Sequence, residues 1–355
     1  MPTSVLRRTV AQLFMVGIPG PTIDDGTKAF LAERPPGGVI LFKRNVKTAR
    51  QVRSLVDALH AIGSGVRAIV SIDHEGGRVH RLPRPFTHFP PAAQWTDPRT
   101  AEAVGLAMGR ELSAVGIDLD FAPVLDVWSN PENRVIGDRA FGTTPAPVVR
   151  AALAQARGLG RGGVLTCGKH FPGHGDTLAD SHVELPRVAK SRRALEAMEL
   201  APFRRAIAAR IPALMTAHVV YPALDPRRPA TLSPLICRNL LRRRLGFQGL
   251  LFSDDLEMQA VAGRADPGKI AVGALQAGCD MLLVCQSLAV AAKAMDGVEQ
   301  AVARGRLSAD AVATALGRIQ AFRCQQPPTR RTPSRLGWPA HARLARRIAR
   351  DAART

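Results

Sequence analysis

The segment Gly168–His182 reads GKHFPGHGDTLADSH, which gathers Lys169, His170, His174, Asp176, Asp180 and His182 into one stretch punctuated by glycine and proline. Side chains of these types either bind a divalent cation or move protons. Histidine and aspartate are ligands for zinc and related ions, which would engage His170, His174, Asp176 and His182. His170 and His174 stand four apart, but Pro172 and Gly173 between them do not suit the helix of an i, i+4 zinc pair, and neither a metal nor any other cofactor is expected. For proton transfer the informative feature is the triplet Asp180-Ser181-His182. In an extended chain its two ionisable side chains fall on the same side. A carboxylate that accepts one ring proton fixes the imidazole tautomer and makes the other nitrogen more basic. A loop of structural hydrogen bonds would use the same residue types, so the triplet alone does not decide. Further acids and bases stand elsewhere: Asp73, His74 and Glu75 in SIDHEGGRVHRL, His218 after LMTA, and Asp254 with Asp255 in LFSDDLEM.

Residues so scattered need a scaffold that brings them to one place. Apolar runs occur at 13–18, 38–42, 68–72, 118–124, 164–167, 213–217, 250–253 and 281–284, separated by helix-period segments such as 48–62, 100–115, 145–160, 191–209 and 267–277. This alternation predicts parallel strands buried on both faces. An open doubly wound sheet gives the same pattern, and the count of eight favours a closed, single-domain (β/α)8 barrel. The length of 355 residues suits that fold, which runs to ~250 residues before insertions. The acids and bases follow the third, fifth, sixth and seventh runs. A charge at the end of a buried strand must be met by solvent or by partners. In a barrel those ends converge on the carboxyl face, where active sites lie.

The segments SIDHEGGRVHRL (71–82), DFAPVLDV (120–127), IGDRAFG (136–142), KHFPGHGDTLADSH (169–182) and LFSDDLEM (251–258) resemble family 3 glycoside hydrolases. More narrowly, they resemble the single-barrel bacterial β-N-acetylhexosaminidases of cell-wall recycling, in order from about Leu13 to Val284. That resemblance implies a retaining enzyme that removes terminal N-acetylglucosamine from β-1,4-linked peptidoglycan fragments through a covalent glycosyl-enzyme. It implies Asp254 as nucleophile, His182 as general acid/base and Asp180 as its dyad partner. It also implies Asp73, Arg81, Arg139, Lys169 and His170 as sugar-binding residues, with His218 a further candidate. Retaining glycosidases pair a nucleophilic carboxylate with a second acid; a histidine on this loop in its place implies loop closure before the acid is set. Ion pairing with Asp73 and Glu75 is the plain structural alternative for Lys169, Arg81 and Arg139. Asp255 would orient the acetamido group in a substrate-assisted route, but strand alternation turns it away from its neighbour, and a wall or helix contact is expected. Glu75 and Asp126 read as structural carboxylates. His80 stands where the family usually has glutamine and receives no role.

The net charge of +20 raises nucleic acid as a partner. Of the 49 basic residues 42 are arginine, dispersed through helical segments, which points to composition bias and no specific nucleic acid. Eight arginines and one aspartate after Gln325 set off a Pro/Arg-rich tail. The expected division is therefore a catalytic barrel over 1–325 and a basic tail or terminal helix over 326–355. Residues 340–354 are expected to pack on the barrel or be solvated, with contact to an anionic surface as the alternative. Five scattered cysteines, an odd number without a CxxC pair, suit a reducing cytoplasm. No run of eighteen apolar residues predicts a transmembrane segment, and a monomer acting on small carbohydrate fragments is expected. The competing readings are a β-glucosidase or an N-acetylglucosamine phosphorylase of the same fold, and a non-catalytic carbohydrate- or nucleic-acid-binding protein.

Overall fold

The structure, a computed structural model, describes residues 3–62, 67–178, 185–263, 265–325 and 338–354. Eight parallel strands close into a barrel: β1 Phe14–Gly17, β2 Gly38–Leu41, β3 Ile69–Ile72, β4 Leu119–Asp120, β5 Leu165–Phe171, β6 Ala213–Thr216, β7 Leu250–Asp255 and β8 Met281–Val284. Each strand pairs with its neighbours in chain order, and β1 completes the ring on β8 with Phe14 opposite Leu282. The strands are buried almost throughout, as strands must be when the barrel interior covers one face and helices the other. Inside, Phe121 and Phe252 meet edge to face with ring centroids 5.1 Å apart.

Helix α1 Thr3–Ala11 precedes β1, and α2 Asp25–Glu33, α3 Ala49–Ala61, α4 Pro98–Ala114 and α5 Pro145–Gly162 follow the first four strands in turn. Beyond β5 come α6 Arg192–Ala197 and α7 Leu200–Ala208; beyond β7, α8 Gln259–Ala262 and α9 Pro267–Ala277; beyond β8, α10 Leu288–Ala303, α11 Ala309–Arg323 and α12 Pro339–Ala352. Local sequence sets these boundaries. The side chains of Asp24, Thr48, Asp97, Ser287 and Ser308 accept the first free amides of α2, α3, α4, α10 and α11, the preferred N-cap chemistry. In α3, Val52, Leu55, Val56 and Leu59 repeat at helical spacing and face inward. The α4–α5 contact is a glycine seam: a Cβ at Gly158 would lie 2.2 Å from the Glu102 carbonyl oxygen, and one at Gly162 2.6 Å from Gly109 Cα.

Two elements depart from the sequence expectation. The fourth run forms only a short strand, since Pro123 has no N–H to give a ladder; its bonds to β5 continue irregularly, with Cys167 N donating to the Ala122 carbonyl, Lys169 N to the Pro123 carbonyl and Leu125 N to the Lys169 carbonyl at 2.7 Å. The helix expected over 191–209 is broken at Met198 and Glu199, since Pro202 cannot donate to the Met198 carbonyl. The tail segment is a helix packed on the barrel. In α12, His341, Ala345 and Ile348 are buried, while Arg343, Arg346, Arg347 and Arg350 face outward. Among the described residues no helix is long and apolar enough to cross a membrane, and the five cysteines are unpaired.

Candidate active site

The carboxyl ends of the strands enclose a cavity of about 260 Å³, lined on its polar side by Asp73, Glu75, Arg81, Arg139, Lys169, His170, His174, Asp254 and Asp255. Six of the nine residues assigned to the site from sequence therefore line one space: Asp73, Arg81, Arg139, Lys169, His170 and Asp254. His218 adjoins it through the Asp255 backbone. Asp180 and His182 lie outside the described residues.

Lys169, on β5, is almost fully buried and crosses to the loop after β3, with Nζ 2.5 Å from Asp73 Oδ1 and 2.6 Å from Glu75 Oε1. Arg139 grips the same glutamate with two bonds, Nε to Oε2 at 2.7 Å and Nη2 to Oε1 at 2.8 Å. Burial alone would raise the Glu75 carboxyl, but these two cations hold it far below the usual carboxylate range. Burial would likewise lower Lys169, and the Asp73 and Glu75 charges raise it instead. Burial pushes the carboxyl of Asp120, which accepts the His74 N–H at 2.9 Å, well above its ordinary value. Two cations and two carboxylates thus balance in a low-dielectric wall, an arrangement that holds its shape without a ligand. Both oxygens of Glu75 are engaged by this wiring, while on Asp73 the Lys169 bond falls on Oδ1.

The glycines after Glu75 make this wall possible. Gly76 and Gly77 adopt φ of +94° and +53°, and a Cβ on either would lie within 3 Å of Pro90 or Pro91. The chain turns back so that Glu75 N donates to the Val79 carbonyl at 2.9 Å, which leads to Arg81 at the cavity edge.

Asp126 is buried and accepts three hydrogen bonds: from His170 Nδ1 at 2.7 Å, His170 N at 3.1 Å and His174 N at 2.7 Å. Donation through Nδ1 leaves His170 Nε2 for the cavity, the usual logic of a carboxylate-oriented imidazole. His174 is held neutral, its ring lowered to about 4 by burial and by the neighbouring His170. His80 does not line the cavity; its ring lies between His74 and His88, with centroids 4.4 and 4.3 Å away.

Asp254 and Asp255 end β7. Asp254 Oδ1 accepts the Asp255 N–H at 2.8 Å. Burial raises its carboxyl, but the charges of His218, His170 and Lys169 together with that N–H bring it below the ordinary value. Asp255 turns one oxygen to the wall, where Oδ1 accepts from Cys285 N and Glu257 N, each at 3.1 Å. Burial, then the charges of Glu257 and Asp254, raise it to about 7. His218 Nε2 lies 2.9 Å from the Asp255 carbonyl oxygen, and Nδ1 lies 2.8 Å from Thr231 Oγ1. An ionised carboxylate facing a cavity, beside fixed donors that do not compete for it, can attack an electrophilic carbon or stabilise a cation. The apolar rim of Phe42, Val135, Met258 and Leu283 carried no chemical signal in the sequence.

Residues 5–322 match the glycosyl hydrolase family 3 N-terminal domain. A β-hexosaminidase of Alkalilimnicola ehrlichii is 44% identical over 280 residues, covering 76% of this chain and 80% of that protein. Among solved structures, a family 3 β-N-acetylglucosaminidase from Paenibacillus sp. superimposes with a TM-score of 0.93 at 38% identity, covering 98% of this chain and 68% of that one. NagZ from Neisseria gonorrhoeae in complex with N-trifluoroacetyl-D-glucosamine gives 0.82 at 35% identity, covering 95% and 97%.

Proposed function

The chain belongs to glycosyl hydrolase family 3 as a β-N-acetylhexosaminidase, and on that premise we propose that it releases terminal N-acetylglucosamine from β-1,4-linked peptidoglycan fragments, such as GlcNAc-anhydro-muramoyl peptides, through a glycosyl ester on Asp254. One observation carries the reading: Asp254 ends β7 in the cavity with its carboxyl held below the ordinary value and, among the described residues, neither oxygen tied to a cation in the way Lys169 and Arg139 hold Glu75, while Lys169, Asp73 and Arg139 line the same space. The wall residues, with Arg81 and His170, hold the sugar hydroxyls and acetamido oxygen. Asp254 attacks the anomeric carbon while His182, oriented by Asp180, protonates the departing oxygen; His182 then takes a proton from the water that frees the sugar. The cavity lies below the ~300–1,000 Å³ common for small-molecule sites, in keeping with one sugar ring and removal from chain ends. Residues 1–325 form the catalytic barrel in this reading, 326–355 an appendage, and the enzyme works as a monomer in the cytoplasm.

Substrate assistance by the acetamido oxygen also retains configuration, so stereochemistry does not distinguish the routes. A 5-fluoro glycoside should leave a sugar mass on the Asp254 peptide, and Asp254→Ala should remove nearly all turnover. N-trifluoroacetyl substrates, whose amide oxygen is a poorer nucleophile, should react at rates close to the parent. A steep rate loss across that series with no label on Asp254 would sink the covalent route. Release of a sugar 1-phosphate in phosphate buffer would instead mark a phosphorylase.

A further inference from the structure

Helix α12 is remote in sequence from the strands that carry the site, yet its inner face reaches the wall behind them. His341 Nδ1 donates to Glu111 Oε1 on α4 at 2.7 Å, with both side chains buried. Trp338 packs edge-on against the His341 ring, centroids 4.7 Å apart. The same glutamate clamps a single loop residue: Oε2 accepts from Thr87 N and Oε1 from Thr87 Oγ1, each at 2.7 Å. The loop that follows Thr87 lies against the glycine turn. Gly77 N donates to the Phe89 carbonyl at 2.9 Å, His88 Nε2 donates to the Gly77 carbonyl at 2.9 Å, and Pro90 and Pro91 close on Gly76 and Gly77. That turn has Asp73 and Glu75 on one side and Arg81 on the other. A second route converges nearby: α12 rests on the short helix Ala92–Gln94, and Trp95 packs edge-on against Phe141 at 5.1 Å, two residues beyond Arg139.

We propose that α12 is a positioning element for the sugar-binding wall, acting through His341 and Glu111 on the Gly76–Gly77 turn. The proposal rests on the reading that Asp73, Arg81, Arg139 and Lys169 hold the sugar. Without His341, Glu111 is a buried carboxylate short of one donor, and relief comes by drawing in water or releasing Thr87. Either outcome loosens the loop that fixes the turn and blurs the spacing of Asp73 and Arg81 across the cavity.

The test uses full-length His341→Ala, His341→Asn and Glu111→Gln, with inhibition by free N-acetylglucosamine as the binding readout. His341→Ala should raise KI and KM about three- to tenfold and leave kcat nearly unchanged. His341→Asn, which retains a donor at the Nδ1 position, should recover most of that loss. The His341→Ala/Glu111→Gln double variant should be no weaker than the worse single, as expected of residues acting in one chain. Val312→Ala, a buried change on α11, provides a variant of lowered Tm without this connection and should leave KI in place. If His341→Ala lowers Tm as Val312→Ala does and KI stays put, the helix is only structural and the proposal falls. Should His341→Ala not fold, Thr87→Val cuts one tie between Glu111 and the loop and must raise KI in the same way. Because KI for the free sugar involves no bond breaking, a failure to trap Asp254 leaves this test intact.

Discussion

The carboxyl of Asp254 lies below its ordinary value because neighbouring His218, His170 and Lys169 and the Asp255 N–H outweigh its burial, whereas that of its neighbour Asp255 is raised to about 7 by burial and the charges of Glu257 and Asp254. Pairs of acids driven apart in this way let one carboxylate act as a base or nucleophile without repulsion from the next. The arrangement has a stability signature. The folded pKa of Asp255 lies above that of the unfolded chain, ~3.9, so between about 4 and 7 the folded state binds more protons. Stability must therefore fall as pH rises through that window and stay at the lower level above it. Asp255→Asn keeps an oxygen for the Cys285 and Glu257 amides and removes the ionisation. We expect it to be close to wild type in urea at pH 4 and more stable by on the order of 4 kcal/mol at pH 8. A stability difference that does not change with pH would contradict the assignment.

Between elements, α4 and α5 approach closely, where glycines let two backbones touch. Gly158→Ala would drive a methyl to 2.2 Å from the Glu102 carbonyl oxygen and should cost about 1–3 kcal/mol by overpacking. Gly160, on the same helix, is exposed and meets nothing within 4 Å; Gly160→Ala should stabilise by up to ~1 kcal/mol through helix propensity. Thermal denaturation of the two variants checks both signs, and equal shifts would refute the seam. At this scale much of the architecture is legible in the sequence. Each apolar run becomes a barrel strand, because continuous apolar character reports burial on both faces. The ends of β5 and β7 are less legible. Lys169, His170, Asp254 and Asp255 look like loop residues by polarity, while their backbones remain in the ladder, and polarity reports side-chain surroundings rather than backbone partners. The acidic and basic residue types at those ends are legible in the sequence, but their wiring is not. Arg139 meets Glu75 across 64 residues and His341 meets Glu111 across 230, separations over which no local periodicity carries information.

The whole molecule carries a net charge of +20, and much of its arginine lies on the helical exterior, as on α12. Such a field attracts anionic substrates within a Debye length, ~8 Å at physiological salt. For a carboxylate-bearing muropeptide, kcat/KM should fall severalfold as NaCl rises from ~0.02 to ~0.5 M, while that for an uncharged nitrophenyl glycoside stays level. Parallel salt curves for the two substrates would show that the charge does not guide the ligand. The ring closure of β1 on β8 bears on synthesis as well. A ribosome delivers β1 long before β8, and at ~5–20 residues per second the interval is on the order of half a minute. Throughout it Phe14–Gly17, paired with β2 on one side, presents an open edge on the other. The barrel is sealed only when Met281–Val284 emerges, so for most of its time on the ribosome this chain is an unfinished sheet in need of protection from other unfinished sheets.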